Sequence, residues 1–235
     1  EPGGLPPVML QLADGSRVAL RGKIDRIDRY EGDHGVYLRV VDYKSSQKKL
    51  EPVRMWYGLQ LQLLLYLKAA TAAGAGNPAG AFYFTVSDPM CDTAQDVKAA
   101  AEAAIAKELR LKGVVLADTE VVEAMDAAEP GLSLEKVFNA DGSVYRYATA
   151  VDVEEMQALL RHAERVAAEL AGEIRRGRIA ARPAVIGDWS ACTYCDYRGV
   201  CGIDPGDTQA QNQIPDMDKQ EFRERLAKEG KTNTQ

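Results

Sequence analysis

The sequence predicts an α/β fold, and three observations lead to it. Short strand-like segments separated by glycine-containing turns fill the first 44 residues, a leucine-rich helical stretch follows at 50–73, and a long amphipathic helix spans 152–176. Apolar residues make up 46% of the 235 positions and charged residues 27%, proportions that suit one generous or two small globular domains. No apolar run reaches the ~18 residues of a membrane span, and no signal peptide opens the chain, so no membrane role and a cytoplasmic location are expected. The opening Glu1-Pro2-Gly3-Gly4 reads as a cut inside a longer protein.

Taken in order, residues 8–12 alternate as a short strand, and Asp14-Gly15 is a hairpin turn signal. A second strand is expected over 17–28, with Val18, Leu20 and Ile24 on one face and Lys23 and Asp25 on the other. Glu31 to Gly35 forms another turn, and a third strand runs over 36–44, so the three segments predict an antiparallel meander. Pro52 suits the first turn of the helix at 50–73, whose leucines leave little polar surface and predict burial. Glycine and proline over 74–80 end it, and Ala81 to Val86 is a strand rich in aromatic residues. A helix over 94–112, a short strand near 114–116 and a loop-like stretch over 118–150 follow. Asp152 can cap the long helix, and Arg175, Arg176 and Arg178 favour its negative end. The domain is expected to occupy 1–204, with 205–235 as a polar surface extension, partly helical at 216–229.

The net charge of −6 argues against a protein that coats DNA by neutralising phosphates along its whole surface. It leaves room for an enzyme that meets DNA at one cleft. Cys192, Cys195 and Cys201 form a tight C-terminal group in a chain without secretory features, which points to metal or iron–sulfur binding rather than disulfides; Cys91 stands apart in a turn.

The central signal is Gly22-Lys23-Ile24-Asp25 followed by Val40-Val41-Asp42-Tyr43-Lys44. Strand alternation puts Asp42 and Lys44 on one face, at the end of the apolar stripe Val36, Leu38 and Val40. Charges there must be paired, hydrated or metal-bound, because burying them alone is costly. Asp25, from the neighbouring strand, could reach Asp42 by hairpin pairing, and two adjacent carboxylates repel unless a cation lies between them. Magnesium suits such a site, since it often uses one or two protein carboxylates and completes its shell with water and phosphate. Lys44 could then orient or help deprotonate the attacking water and offset charge on phosphorus. The plainer reading is a structural Asp–Lys pair. Gln62 and Tyr66, four apart on the leucine-rich helix, share a face and could reach the same cleft.

This ordered series, Gly22-x-Ile24-Asp25, Asp42-Tyr43-Lys44 and Gln62-x-x-x-Tyr66, resembles the RecB-like branch of the PD-(D/E)XK nuclease superfamily. The spacing Cys192-x-x-Cys195 and Cys201 narrows the resemblance to the AddB family of helicase–nuclease subunits, over roughly residues 17–204. The resemblance implies a restriction-endonuclease-like core, a mixed central sheet flanked by helices. It also implies a metal-dependent DNA exonuclease that processes double-strand breaks alongside an AddA-like partner. Asp25, Asp42 and the Tyr43 carbonyl would hold Mg2+ or Mn2+, Lys44 would be the catalytic lysine, and Gln62 and Tyr66 would support them. A further residue from a helix before the first strand, usual in the family, is not in this sequence. Cys192, Cys195 and Cys201 would ligate a 4Fe–4S cluster with a fourth thiolate from upstream, Cys91 being a spare candidate; zinc is the alternative occupant, and a site left empty for want of the fourth ligand is another. A CRISPR-associated exonuclease and a non-catalytic DNA-binding scaffold are the alternative functions.

Other side chains fit blander roles. Lys44, Lys48, Lys49 and Arg54 form a basic patch that either holds phosphates or is a solvated face. Trp56 and Tyr57 suit core packing more than base stacking, Trp189 should pack near the cysteines, and His34 and His162 read as bystanders.

Overall fold

A computed structural model of the chain describes residues 5–87, 97–126, 131, 133–145, 148–204 and 206–232. Strands β1 (Val8–Gln11) and β2 (Arg17–Leu20) form the hairpin that Asp14-Gly15 predicts, with Gly15 at φ 80°. The expected strand over 17–28 then breaks. Residues 21–25 carry no strand, and β3 (Arg26–Gly32) starts afresh and pairs antiparallel with β4 (Gly35–Lys44). A glycine inside a strand packs nothing and weakens it, and Gly22 lies where the chain leaves the hairpin for the main sheet. The expected meander is therefore a separate two-stranded ribbon followed by a pair within a larger sheet.

The helix expected over 50–73 is also divided, into α1 (Pro52–Trp56) and α2 (Gln62–Ala70), with a π-helical turn over Thr71–Ala75. Gly58 between them adopts φ 78°, in the left-handed region that a side chain disfavours, and a Cβ there would also come within 2.8 Å of Val166 Cγ1. Strand β5 (Asn77–Thr85) begins earlier than expected and runs parallel to β4. Opposite Leu38 and Arg39 it places Pro78 and Gly80, so Ala79 is bulged out beside the proline that cannot donate to the ladder.

Next come α3 (Val97–Glu108), β6 (Lys112–Leu116) and α4 (Thr119–Met125). Helix α4 falls in the stretch expected as loop, and Asp118 caps it by accepting from the Val121 amide. After β7 (Ala150–Val151), α5 (Val153–Arg175) starts with a reciprocal capping box between Asp152 and Glu155. The chain ends with β8 (Ala184–Ile186), β9 (Trp189–Ser190), α6 (Arg198–Cys201), β10 (Asn212–Gln213) and α7 (Lys219–Thr232).

The central sheet has the order β3-β4-β5-β6-β7 and is mixed: β3–β4 and β5–β6 are antiparallel, β4–β5 and β6–β7 parallel. Leu38, Val40 and Tyr83 on one face pack with Leu63, Leu64 and Leu67 of α2 and Met156 and Leu159 of α5. Val41, Phe82 and Val115 on the other face meet Leu134 and Val137. The polar tail over 205–235 is more than a surface extension, because Ile214, Met217, Phe222 and Leu226 are buried in the main core. Each such side chain stabilises by about 1.5–3 kcal/mol. Among the described residues no helix is long and apolar enough to cross a membrane.

Candidate active site

The final residues of β4 carry the charges. Asp42 continues the buried stripe of Leu38 and Val40, and its Oδ2 lies 2.5 Å from Lys44 Nζ. Asp42 is 4% exposed, whereas the Lys44 side chain is 24% exposed and so reaches from the core towards solvent. Despite the nearby ammonium, Asp42 Oδ2 accepts no well-directed hydrogen bond among the described residues. A buried carboxylate oxygen with unused lone pairs is the acceptor a hard cation requires.

Asp25 arrives from the end of the break before β3. In the β3–β4 ladder Arg26 faces Val41, and one further step of that register sets Asp25 opposite Asp42. Asp25 Oδ2 accepts the Tyr43 amide hydrogen at 3.1 Å, which anchors this carboxylate to the strand that carries Asp42.

Helix α2 supplies the third side of the site. Because the chain breaks at Gly58, Gln62 opens the helix, and its Nε2 donates to Asp42 Oδ1 at 3.3 Å and to the Tyr66 hydroxyl at 3.2 Å. The four-residue spacing thus yields the shared face that the sequence implies. Five of the expected residues, Asp25, Asp42, Lys44, Gln62 and Tyr66, are linked by these contacts. The Tyr43 side chain is exposed and meets Phe84 edge-on at 5.7 Å.

Tyr83 is a site residue that sequence reasoning missed. It pairs with Asp42 across the parallel β4–β5 ladder, and the Lys44 ammonium lies 5.6 Å from its ring centroid. Burial, with the Asp42 charge adding, pushes the Tyr83 phenol above its usual range, so the ring is a neutral wall. Only the strand register reveals this, since alternation within 81–86 does not say which residue faces Asp42.

The remaining candidates divide. Arg54 is committed elsewhere: it pairs with Glu51 and lies 4.2 Å over the ring of Trp189. Trp56 stacks on His162 at 4.2 Å, so packing is its role here. His34 is exposed beside Glu120. Cys192 is half-buried and Cys195 and Cys201 are exposed, all with free thiols, while Cys91 lies outside the described residues. Among the described residues no three His, Cys, Asp or Glu side chains are grouped closely enough to hold a metal ion. The cysteines as placed therefore do not fit a cluster, whereas the Asp25–Asp42 pair meets the smaller requirement of magnesium.

Residues 2–202 match the family model of the PD-(D/E)XK nuclease superfamily. The chain belongs to this superfamily. Its mixed five-stranded sheet flanked by helices is the nuclease fold, and PD-(D/E)XK nucleases generally use divalent metals. The chain is also similar to proteins named as the second subunit of an ATP-dependent helicase/deoxyribonuclease. It is 44% identical to the one from Moorella thermoacetica over 213 residues, 86% of this chain and 18% of the relative. To that of Symbiobacterium thermophilum it is 39% identical over 243 residues, 98% of this chain and 20% of the relative. To that of Alkaliphilus metalliredigens it is 33% identical over 238 residues, 97% of this chain and 21% of the relative. The chain thus spans about a fifth of the length of these curated relatives.

Proposed function

We propose that the chain is the nuclease part of an AddB-type helicase–nuclease subunit, a cytoplasmic deoxyribonuclease that hydrolyses phosphodiester bonds at broken DNA ends. The observation that carries the reading is the buried Asp42 carboxylate, with one oxygen held by Gln62 and the other beside Lys44 but short of a hydrogen bond. A scaffold that needed only a structural ion pair would gain little from an orphaned acceptor, whose burial costs about 1–3 kcal/mol. The names of the relatives favour this reading over a CRISPR-associated exonuclease and support an AddA-like partner.

In this reading Asp25, Asp42 and the Tyr43 carbonyl hold Mg2+ or Mn2+. When bound, the ion polarises the scissile phosphate, helps ionise water and stabilises the departing oxygen. The protein's own groups do the rest. Gln62 fixes the rotamer of Asp42, and Tyr66 fixes Gln62 by accepting its second amide hydrogen. The Tyr43 amide holds Asp25 in the same way. Lys44 presents a positive charge where negative charge builds on phosphorus and orients the attacking water. Water oxygen then bonds to phosphorus as the bond to one deoxyribose oxygen breaks, and that oxygen takes up a proton. The reading also assigns a 4Fe–4S cluster to Cys192, Cys195 and Cys201 with a further thiolate. The thiols would have to draw together first, and no step of hydrolysis passes through them.

The test is degradation of end-labelled linear DNA by the purified protein in Mg2+. Asp42→Ala and Lys44→Ala should each lower the rate by at least ~100-fold with unchanged circular dichroism, and chelation with EDTA should stop the wild type. Equal rates in both variants would overturn the assignment.

A further inference from the structure

The chain carries a net charge of −6, yet the cleft that opens beside Gln62 and Tyr83 has the opposite sign. This cleft, of about 970 Å³, is lined by Lys48, Lys49, Lys107, Lys112, Lys136 and Lys219 together with Arg54, against only Glu51, Glu108 and Glu135. Two of those carboxylates are already engaged. Glu51 pairs with Arg54, while Glu108 accepts from Gln47 at 2.8 Å and pairs with Lys112 at 3.4 Å. The lysines come from the segment after β4, from α3, from β6, from the segment before β7 and from the start of α7, so folding rather than a local charge run gathers them.

Lys49 and Lys219 make the point most sharply. They are 170 positions apart in the chain. Burial lowers the Lys219 pKa and the nearby Lys49 charge lowers it further, against the opposing pull of Glu135. Two cations brought together in a concavity repel until an anion enters between them. The cleft is continuous with the residues around Asp42, because Tyr83 and Gln62 belong to both.

We propose that this cleft holds the phosphate backbone of the DNA strand being cut, with Lys49 and Lys219 as a phosphate clamp that positions the strand at Asp42. The inference rests on the nuclease reading and adds the path of the substrate. It also explains how an acidic protein grips a polyanion: the basic residues are concentrated in one concave surface that leads to the site.

The test is fluorescence anisotropy of a labelled single-stranded oligothymidine, in EDTA so that nothing is cut, over a series of salt concentrations. Each neutralised phosphate contributes a slope of about −0.7 in log affinity against log salt for single strands. The double variant Lys49→Ala/Lys219→Ala should therefore bind ~25-fold more weakly near 0.1 M salt and lose ~1.4 from the slope. In Mg2+ it should show a raised KM rather than a lowered kcat. Lys49→Arg/Lys219→Arg keeps both charges and should bind like the wild type, which separates a charge effect from misfolding. Unchanged affinity and slope in the alanine variant, or no binding by the wild type, would overturn the clamp. Asp42→Ala keeps the two failures apart. If it cuts DNA normally while binding still depends on the lysines, the nuclease reading fails alone; if it is inactive while binding ignores the lysines, the clamp fails alone.

Discussion

Gly22 and Tyr66 are fitted against each other: a Cβ on Gly22 would lie 2.8 Å from Tyr66 Cε1 and 3.1 Å from its hydroxyl oxygen. That hydroxyl accepts from Gln62, and Gln62 in turn donates to Asp42. The glycine four residues before β3 therefore sets the position of a carboxylate on β4 through two side chains of α2.

Gly22→Ala should push the Tyr66 ring aside and loosen Gln62. Overpacking of this kind costs about 1–3 kcal/mol in stability. The loss of outer support for the site should lower activity ~10–100-fold. Gln62→Leu should give a similar loss of activity, and Gly22→Ala/Gln62→Leu little more than either alone. Kinetics of the three variants check this; fully multiplicative losses would show that Gly22 does not act through Gln62.

Asp28 provides a pH test away from the site. Burial raises its pKa, but hydrogen bonds and charge from Arg26 and Arg39 outweigh it, so the folded pKa lies below the usual carboxylate value. A depressed carboxylate contributes stability above its unfolded pKa of ~3.9 and loses it as pH falls through the folded value. At pH 7 Asp28→Asn should cost up to ~1 kcal/mol, since the pair is partly exposed and screened, or ~2–4 °C in melting temperature. Melting curves from pH 7 to pH 3 should show the gap closing below pH ~4; a gap constant with pH would contradict the assignment.

His162 ties the C-terminal helix to the body of the protein. Its ring is buried against Trp56, Nε2–H donates to the Trp56 carbonyl at 2.9 Å, and Nδ1 lies 2.8 Å from Glu229 Oε2. His162→Ala leaves a cavity and strands both partners, a cost of about 3 kcal/mol. Limited proteolysis should then cut within α7 (Lys219–Thr232) faster than in the wild type. Equal cleavage rates would mean that Phe222 and Leu226 hold the helix without the histidine.

The parts of this molecule that were legible in its sequence are those governed by short-range periodicity. The two-residue alternation of a strand placed Asp42 and Lys44 on one face, and the cap at Asp152 marked where α5 begins. Periodicity failed where it carried no information. Leucines at 59, 61, 63, 64, 65 and 67 leave helix phase unreadable, so the break at Gly58 that frees Gln62 was hidden. The split of the 17–28 segment depends on the ring of Tyr66, more than 40 positions later. Tyr83 became a neighbour of Asp42 only through a parallel register set beyond a bulge at Ala79. The tail over 205–235 looked like surface because four apolar side chains, Ile214, Met217, Phe222 and Leu226, were diluted among polar ones.

The most direct measurement of the central claim is Mn2+ binding, followed by electron paramagnetic resonance, in the wild type, Asp25→Asn and Asp42→Asn. The account predicts one competed site in the wild type, displaced by Mg2+ and weakened at least ~10-fold by either substitution. Tight binding that survives both substitutions, or none in the wild type, would contradict the claim that these two carboxylates seat a catalytic cation beside Lys44.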